Sequence, residues 1–474
     1  MIRCFQRLGL TLLAVAAFAA FSAAPAAAQA PPDDPAGRAQ AREIYRRIIA
    51  FDSSISGGQT PAMAAYLAEQ FRTGGFAAED VHLLPMGATA ALVVRYRGDG
   101  TGGRPIALLA HMDVVEALRS DWERDPFTLV EENGYFYGRG TLDMKGGVAI
   151  LTATFLRLRA EGFVPTRDLI IVFTGDEETS GDTSIALLRE HRELVDAEFA
   201  LNADSGGGVL DETTGAPISY ALQGAEKTFA SFTLTAHNPG GHSSQPRADN
   251  AIYDIVGALT RVRGYAFPVM WNDITIASFR AKGPATGGAL GAAMSRFAAH
   301  PGDRRAAAIL SEHPSQIGQI RTTCIPTLLQ AGHADNALPQ TAVATVNCRI
   351  FPGVAIADVQ AQLQSLAGAG VVVGPVDDYW SSDASPLRED VVAAVTRAVH
   401  ERHPGVPIVP SMAAGATDGV FFRSMGIPTY GTGEYFLKDS DDFSHGLNER
   451  QPVESFYNGL VHWRVLIDAL AGRG

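Results

Sequence analysis

The apolar residues of this chain fall into two styles of pattern. In the N-terminal part, short buried-strand runs alternate with helical stretches. Residues 38–51 and 60–72 read as helices, the second stopped by Gly74-Gly75. Residues 90–96 and 105–110 are predicted strands on either side of a glycine-rich turn, 98–103, and 135–137 is a further short strand. Residues 145–160 form a largely apolar, hence buried, helix. Further buried strands are expected at 168–174 and 199–203. Strands alternating with helices predict a doubly wound α/β sheet.

The style changes near Gly224. Residues 228–237 alternate like a half-exposed strand, and 250–262 are helical. Segments 320–330 and 341–350 read as paired strands, 357–366 as a helix and 370–373 as a strand. The order β-α-β-β-α-β predicts a ferredoxin-like α+β unit inserted into the first domain. A Gly/Ala-rich helical insertion is expected at 281–315. After Ser385 the α/β pattern resumes with helix 390–402, strand 408–410, helix 419–425 and closing helix 453–471. The expected division is 38–224 and 385–474 for one domain and 225–384 for the other.

Composition narrows the function classes. The length of 474 residues allows two or three domains, and 46% hydrophobic with 19% charged residues is ordinary for a globular chain. A net charge of −13 argues against a nucleic-acid partner, since no basic stripe is available for phosphates. Residues 1–30 are separate in character. Arg3 and Arg7 precede an apolar segment, 8–21, and small residues through Ala26, Ala27 and Ala28. That is the pattern of a secretory signal peptide cleaved after Ala28, which predicts a periplasmic or secreted protein with no membrane attachment once the leader is gone. Beyond Cys4 only Cys324 and Cys348 occur, so a thiolate metal cluster is excluded. They lie about equally far from the turn near 332–338, where facing positions would allow a disulfide.

The candidate chemistry sits where apolar runs stop. IALLAHMDVV, residues 106–115, delivers His111 and Asp113 to a strand end, spaced i and i+2 on one side. Asp143, Glu178, Asp204 and His445 occupy other strand ends or adjoining loops. Two histidines and three carboxylates suit a pair of cations such as Zn²⁺ better than one, with one carboxylate bridging. Glu177, beside Glu178, is a carboxylate that can take a proton without being a ligand. The chain has no Gly-x-Ser-x-Gly, no H-E-x-x-H and no P-loop.

In order, LLAHMDVV, DPF…GYFYGRGTLDMKGG, FTGDEETSG, LNADSGG, GGHSSQP, NALPQTAVATVNCRIFPG, GATDGVFFRSMGIPTYG and FSHGLNERQPVESF span nearly the whole chain. Together they resemble the di-zinc exopeptidase and amidohydrolase family of glutamate carboxypeptidase, aminoacylase, succinyl-diaminopimelate desuccinylase and acetylornithine deacetylase. The resemblance implies that Asp143 bridges two zinc ions, with Co²⁺ or Mn²⁺ as substitutes. His111 and Asp204 would complete one site, and Glu178 and His445 the other. Glu177 would be general base and then acid, and Asp113 would orient His111. The Asp143–Met144 peptide would be cis. The inserted domain would be a lid and dimerisation domain whose His242 reaches the partner's site to stabilise an oxyanion. Asn336 and Arg349 would hold a substrate carboxylate, and Gly415 and Thr417 would line the substrate end. The implied reaction is hydrolysis of a small peptide or N-acyl amino acid by a homodimer.

One departure bears on substrate. Asp204 stands where the carboxypeptidase and deacylase branches commonly carry Glu, and it resembles the dipeptidase-like and secretory carboxypeptidase-like branches. Two alternatives stay open at this point. One is an aminopeptidase that reads a free amine; the other is a catalytically silent binding protein on the same scaffold.

Overall fold

The computed structural model describes residues 34–473. The expected leader, 1–28, lies outside the described residues. Among these residues no helix is long and apolar enough to cross a membrane.

A large sheet is built on the buried runs. Its order is Val81–Met86, Thr89–Tyr96, Leu169–Thr174, Ile106–His111, Phe199–Asn202, Thr429–Gly431, Pro217–Glu226, Gly207–Leu210 and Phe436–Leu437, with Ile408–Ala413 also parallel to Pro217–Glu226. Ile106–His111 runs parallel to both Leu169–Thr174 and Phe199–Asn202, so all three C-terminal ends reach one edge. The chain leaves Ile106–His111 toward one neighbour and later toward the other, which opens a crevice at that edge.

These strands look apolar throughout because both faces are covered. Leu92, Val94, Leu108, Ala110, Ile171 and Phe173 pack into one core with helices Pro35–Ile49, Lys145–Ala160 and Val453–Ala471. Their alternates, Ala91, Val93, Ala107, Leu109, Ile170 and Val172, pack into a second core with Leu187, Leu188 and Phe422. Period-two alternation of a side chain between two buried faces leaves no polar position to mark the strand. Burial of each such Leu, Ile or Phe contributes roughly 1.5–3 kcal/mol, which fixes the strand ends that carry the chemistry.

The four-stranded sheet has the order Thr323–Ala331, Thr341–Ile350, Thr228–His237 and Val371–Pro375. Helices Ala251–Gly264 and Ile356–Ala367 cover one face through Ile255, Ala258, Val359 and Leu363. This is the expected β-α-β-β-α-β unit. It joins the large sheet directly: Pro217–Glu226 belongs to one sheet and Thr228–His237 to the other, with Lys227 alone between them. The helical insertion begins earlier than 281, at Asp273, because Asn272 caps that helix by accepting from the Thr275 amide. Its four helices, from Asp273–Thr286 to Pro314–Ile317, carry their own core of Phe279, Met294, Phe297 and Leu310.

Cys324 faces Cys348 in register, with Cα atoms 4.0 Å apart, and the two form a disulfide. The bond closes a loop with a sequence separation of 24. Reduction is expected to lower stability by about 3 kcal/mol from loop-closure entropy. Thiol titration of the unfolded protein, with and without prior reduction, checks the pairing: two additional thiols on reduction are expected, and an unchanged count excludes it.

Candidate functional site

His111 ends its strand at the crevice with its ring buried. The ring is fixed from behind. Nδ1 lies 3.0 Å from the backbone carbonyl of Asp113 and 3.5 Å from that residue's Oδ1. The backbone oxygen is therefore the closer partner, and a proton on Nδ1 leaves Nε2 as the lone-pair atom facing the crevice. The Asp113 carboxylate has a second task. It accepts the backbone amides of Glu177 at 3.2 Å and Glu178 at 3.0 Å, holding the turn after Leu169–Thr174 against the end of the neighbouring strand.

That turn is tied down on its other side. Asp176 accepts from Ser180 and Thr183, and Gly181 starts helix Asp182–Glu190 at φ 68°. A Cβ at Gly181 would meet the Phe421 ring, so glycine is needed for two reasons.

Asp143 occupies the centre. Its Oδ1 is 3.0 Å from His111 Nε2, and its Oδ2 is 3.1 Å from His445 Nε2. Asp204 Oδ1 stands 3.6 Å from His111 Nε2, and Glu178 Oε1 stands 2.9 Å from His445 Nε2. The Asp143–Met144 peptide is cis. Each oxygen of one carboxylate thus faces a different imidazole. His111 and His445, far apart in sequence, meet across Asp143.

The electrostatics of this crevice are dominated by negative charge. Burial pushes Asp204 up to about 7, opposed by His111 and reinforced by Asp143 and Asp418. Burial also holds Glu177 well above the usual carboxylate range, with Asp204, Asp418 and Glu178 adding to it against His111. His445 is raised to about 10 by its bonds to Asp143 and Glu178. Burial disfavours the charged form of Asp143, but the two histidines outweigh it and hold its carboxyl low. Carboxylates outnumber imidazoles here, and that imbalance is what a pair of divalent cations would relieve. Donor atoms of His111, Asp143 and Glu178 lie within 4.8 Å of one another, as do those of His111, Glu177 and Asp204. The two groups share His111, and their N and O donors, with His445 beside Asp143 and Glu178, fit borderline-hard cations.

Glu177 is the carboxylate of this cluster that opens onto a cavity of about 1060 Å³, lined also by Phe229, Tyr379, Trp380, Thr417 and Phe421. Trp380 meets Phe421 edge-on at 5.6 Å, and Arg189 lies over the Trp380 ring. Thr417 is buried, donating to Glu226 and accepting from Asn202. Arg349 lies over Phe229 and donates to the Ala414 carbonyl at 2.7 Å, beside Gly415. Arg349, Gly415 and Thr417 are therefore grouped beside the cavity.

His242 and Asn336 are grouped elsewhere. His242 pairs with Ala337 in a two-stranded ribbon, its ring is bonded to Ser244, and Ser243 donates to the Asn336 carbonyl. Both are exposed, and their partners are one another's neighbours in this ribbon, apart from the His111–His445 cluster.

Three buried groups at the site carry no sequence signal of their own. Asp418, raised to about 6 by burial, accepts from Thr174 and Ser184 beneath His111. Glu449 and Arg139 form a buried ion pair under Asp143. Their motifs, GATDG, NER and GRG, were visible, but nothing local says that the side chains turn inward.

Residues 107–469 match Peptidase_M20, described as Peptidase family M20/M25/M40. The N-fatty-acyl-amino acid synthase/hydrolase PM20D1 of Xenopus tropicalis is 31% identical over 358 residues, covering 74% of this chain and 69% of that protein. Mouse aminoacylase-1 is 24% identical over 414 residues, 86% of this chain and 89% of its own. Among solved structures, the M20 family metallo-carboxypeptidase Sso-CP2 from Sulfolobus solfataricus has a TM-score of 0.67 at 16% identity, covering 91% and 99%. Bacillus subtilis YXEP, a dinuclear metal binding peptidase from the M20 family, has a TM-score of 0.57 at 12% identity, covering 92% of this chain and 98% of its own. The structural likenesses extend the shared fold over about nine-tenths of the chain, and the family match runs from Ala107, inside the strand that ends in His111, past His445. The chain belongs to peptidase family M20/M25/M40 and is a hydrolase of the peptidase and amidohydrolase kind.

Proposed function

We propose that the chain is an exported zinc-dependent amidase that cleaves N-acyl amino acids or small peptides bearing a free carboxylate. The observation that carries this reading is the placement of Glu177, between the His111–Asp143–His445 cluster and a large cavity with aromatic walls. Similarity to an N-fatty-acyl-amino acid synthase/hydrolase and to aminoacylase-1 supports an acyl amino acid over a longer peptide. Phe229, Tyr379, Trp380 and Phe421 offer an acyl group an apolar wall, while Arg189, Lys227, Asp377 and Asp378 make the rest of the cavity charged.

His111, Asp143 and Asp204 would hold one zinc ion, and Asp143, Glu178 and His445 the other. When bound, the two cations would polarise the scissile carbonyl and make water more acidic. Glu177 would take a proton from the attacking water and return it to the leaving amine. Its burial raises its proton affinity toward the range in which both transfers are feasible. Asp113 keeps Glu177 in place by holding its amide. Arg349 would meet the substrate carboxylate with two parallel hydrogen bonds, and Gly415 and Thr417 would shape that end. His242 and Asn336 would act across a dimer, the partner subunit's His242 donating to the oxyanion.

The free edge of the small sheet supports the dimer reading. Thr323–Ala331 is an edge strand with Ile325, Leu328 and Leu329 exposed. Tyr253 and Val256 of the adjoining helix are exposed as well. An unpaired edge with apolar side chains on it is a template for a second copy. In this reading residues 225–384 are the lid and dimerisation domain, and 38–224 with 385–474 are the catalytic domain. Removal of residues 1–28 would accompany export to the periplasm or the medium.

Three results are expected. Glu177→Ala should retain metal binding and lose about 10²–10⁴-fold in kcat; full activity would refute the base assignment. Among N-acyl amino acids and free-amine dipeptide amides, the carboxylate-bearing, N-blocked substrates should be hydrolysed. Cleavage confined to substrates with a free amine would favour an aminopeptidase, and zinc-loaded protein inert to all would favour a binding role. The double variant Ile325→Asp, Leu328→Asp should sediment as a monomer; a sedimentation coefficient unchanged from a dimeric parent would place the interface elsewhere.

A further inference from the structure

Two loops that are remote in sequence bring Asp143 and His445 together, and one buried ion pair ties them. Glu449 is fully buried, and its two oxygens receive four donors. Oε1 accepts the amides of Leu142 at 2.7 Å and Asp143 at 2.9 Å. Oε2 accepts the Gly140 amide at 2.9 Å and Arg139 Nη1 at 2.7 Å. The carboxylate therefore grips the backbone of the Asp143 loop at three amides, those of Gly140, Leu142 and Asp143, and at the side chain that begins it. Arg139 continues the chain of contacts: its Nη2 lies 3.3 Å from the carbonyls of both His445 and Gly446. His445 sits at φ 61°, a left-handed conformation that is unfavourable for a residue with a Cβ and needs an external hold. A small sheet aligns the same segments, with Arg450 opposite Tyr137 just beyond both loops.

We propose that the Glu449–Arg139 pair is a positioning device that sets the distance between Asp143 and His445, and so the affinity of the cation site made by Asp143, Glu178 and His445. The inference rests on the two-metal reading above. Every contact to Glu449 is a donor, so a carboxylate is required on both oxygens. Glutamine would turn an NH₂ toward a backbone amide or toward Arg139. Lysine at 139 would keep the charge, but a single ammonium lacks the planar fork that reaches Glu449 and two carbonyls at once. The two substitutions thus break the tie at different points.

The test is metal titration of wild type, Arg139→Lys and Glu449→Gln with Zn²⁺ in competition with a chromogenic chelator. Thermal unfolding of the metal-free proteins runs alongside to establish folding. Wild type is expected to bind two equivalents. Arg139→Lys is expected to fold and to lose about 10–100-fold in affinity at one site while the other stays near wild type. Glu449→Gln is expected to weaken both, because it releases the loop of the shared Asp143. A merely structural role would lower the unfolding temperature and leave the affinities of the folded protein unchanged. Wild-type affinity at both sites in folded Arg139→Lys overturns the proposal, and that variant decides alone if Glu449→Gln does not fold. A wild type that binds no zinc would instead overturn the two-metal reading.

Discussion

The constraint on which this structure turns is a concentration of buried and half-buried carboxylates at one sheet edge. Asp113, Asp143, Glu177, Glu178, Asp204, Asp418 and Glu449 crowd the ends of three parallel strands, and a buried carboxylate without compensation is expensive. Several are settled within the chain. Asp113 takes two backbone amides, Asp418 takes two hydroxyls, and Glu449 takes three amides and a guanidinium. Asp143 is shared between two imidazoles. Glu177 and Asp204 face chiefly other carboxylates and His111, and their proton affinities are raised accordingly. Those two are where outside positive charge is most needed, and the proposed chemistry sits beside them.

The scaffold serves that crowding by being stiff around it. The three strands are covered on both faces, so their ends cannot drift without disturbing two cores. The chain enters the second sheet through a single residue, Lys227, and that junction is braced by the buried pair of Glu226 and Arg423, with Thr417 bonded to the same Glu226. The loop that lines the cavity is therefore coupled to the point where the two sheets meet. Phe229 lines the cavity as a consequence of that short connection, and Arg349 on the facing strand lies over its ring.

Sequence reasoning reached the parts of this arrangement that have local signatures. The strand ending in His111, the apolar helix 145–160 and the β-α-β-β-α-β order follow from patterns a few residues long. His111, Glu178 and Asp204 stand out in the sequence where apolar runs end, and the structure brings them together with Asp143 and His445. What stayed hidden depends on contacts distant along the chain. Pro217–Glu226 reads poorly as a strand because Gln223 and Gly224 break its apolar run, yet Gln223 is buried by its bonds to Ser205 and Glu226. Glu449 looks like a surface residue between Asn448 and Arg450, and its partners lie more than three hundred positions away. Asp113 meets His111 Nδ1 through its backbone carbonyl at 3.0 Å and its Oδ1 at 3.5 Å, and the further task of its carboxylate, holding the turn at Glu177, has no local signature.

The most direct test of the shared carboxylate is anomalous diffraction at the zinc edge from crystals of the zinc-loaded protein. Two peaks are expected on opposite sides of Asp143, one beside His111 and Asp204 and the other beside Glu178 and His445. A single peak, or two peaks that do not share Asp143, would contradict the arrangement on which the proposed chemistry depends.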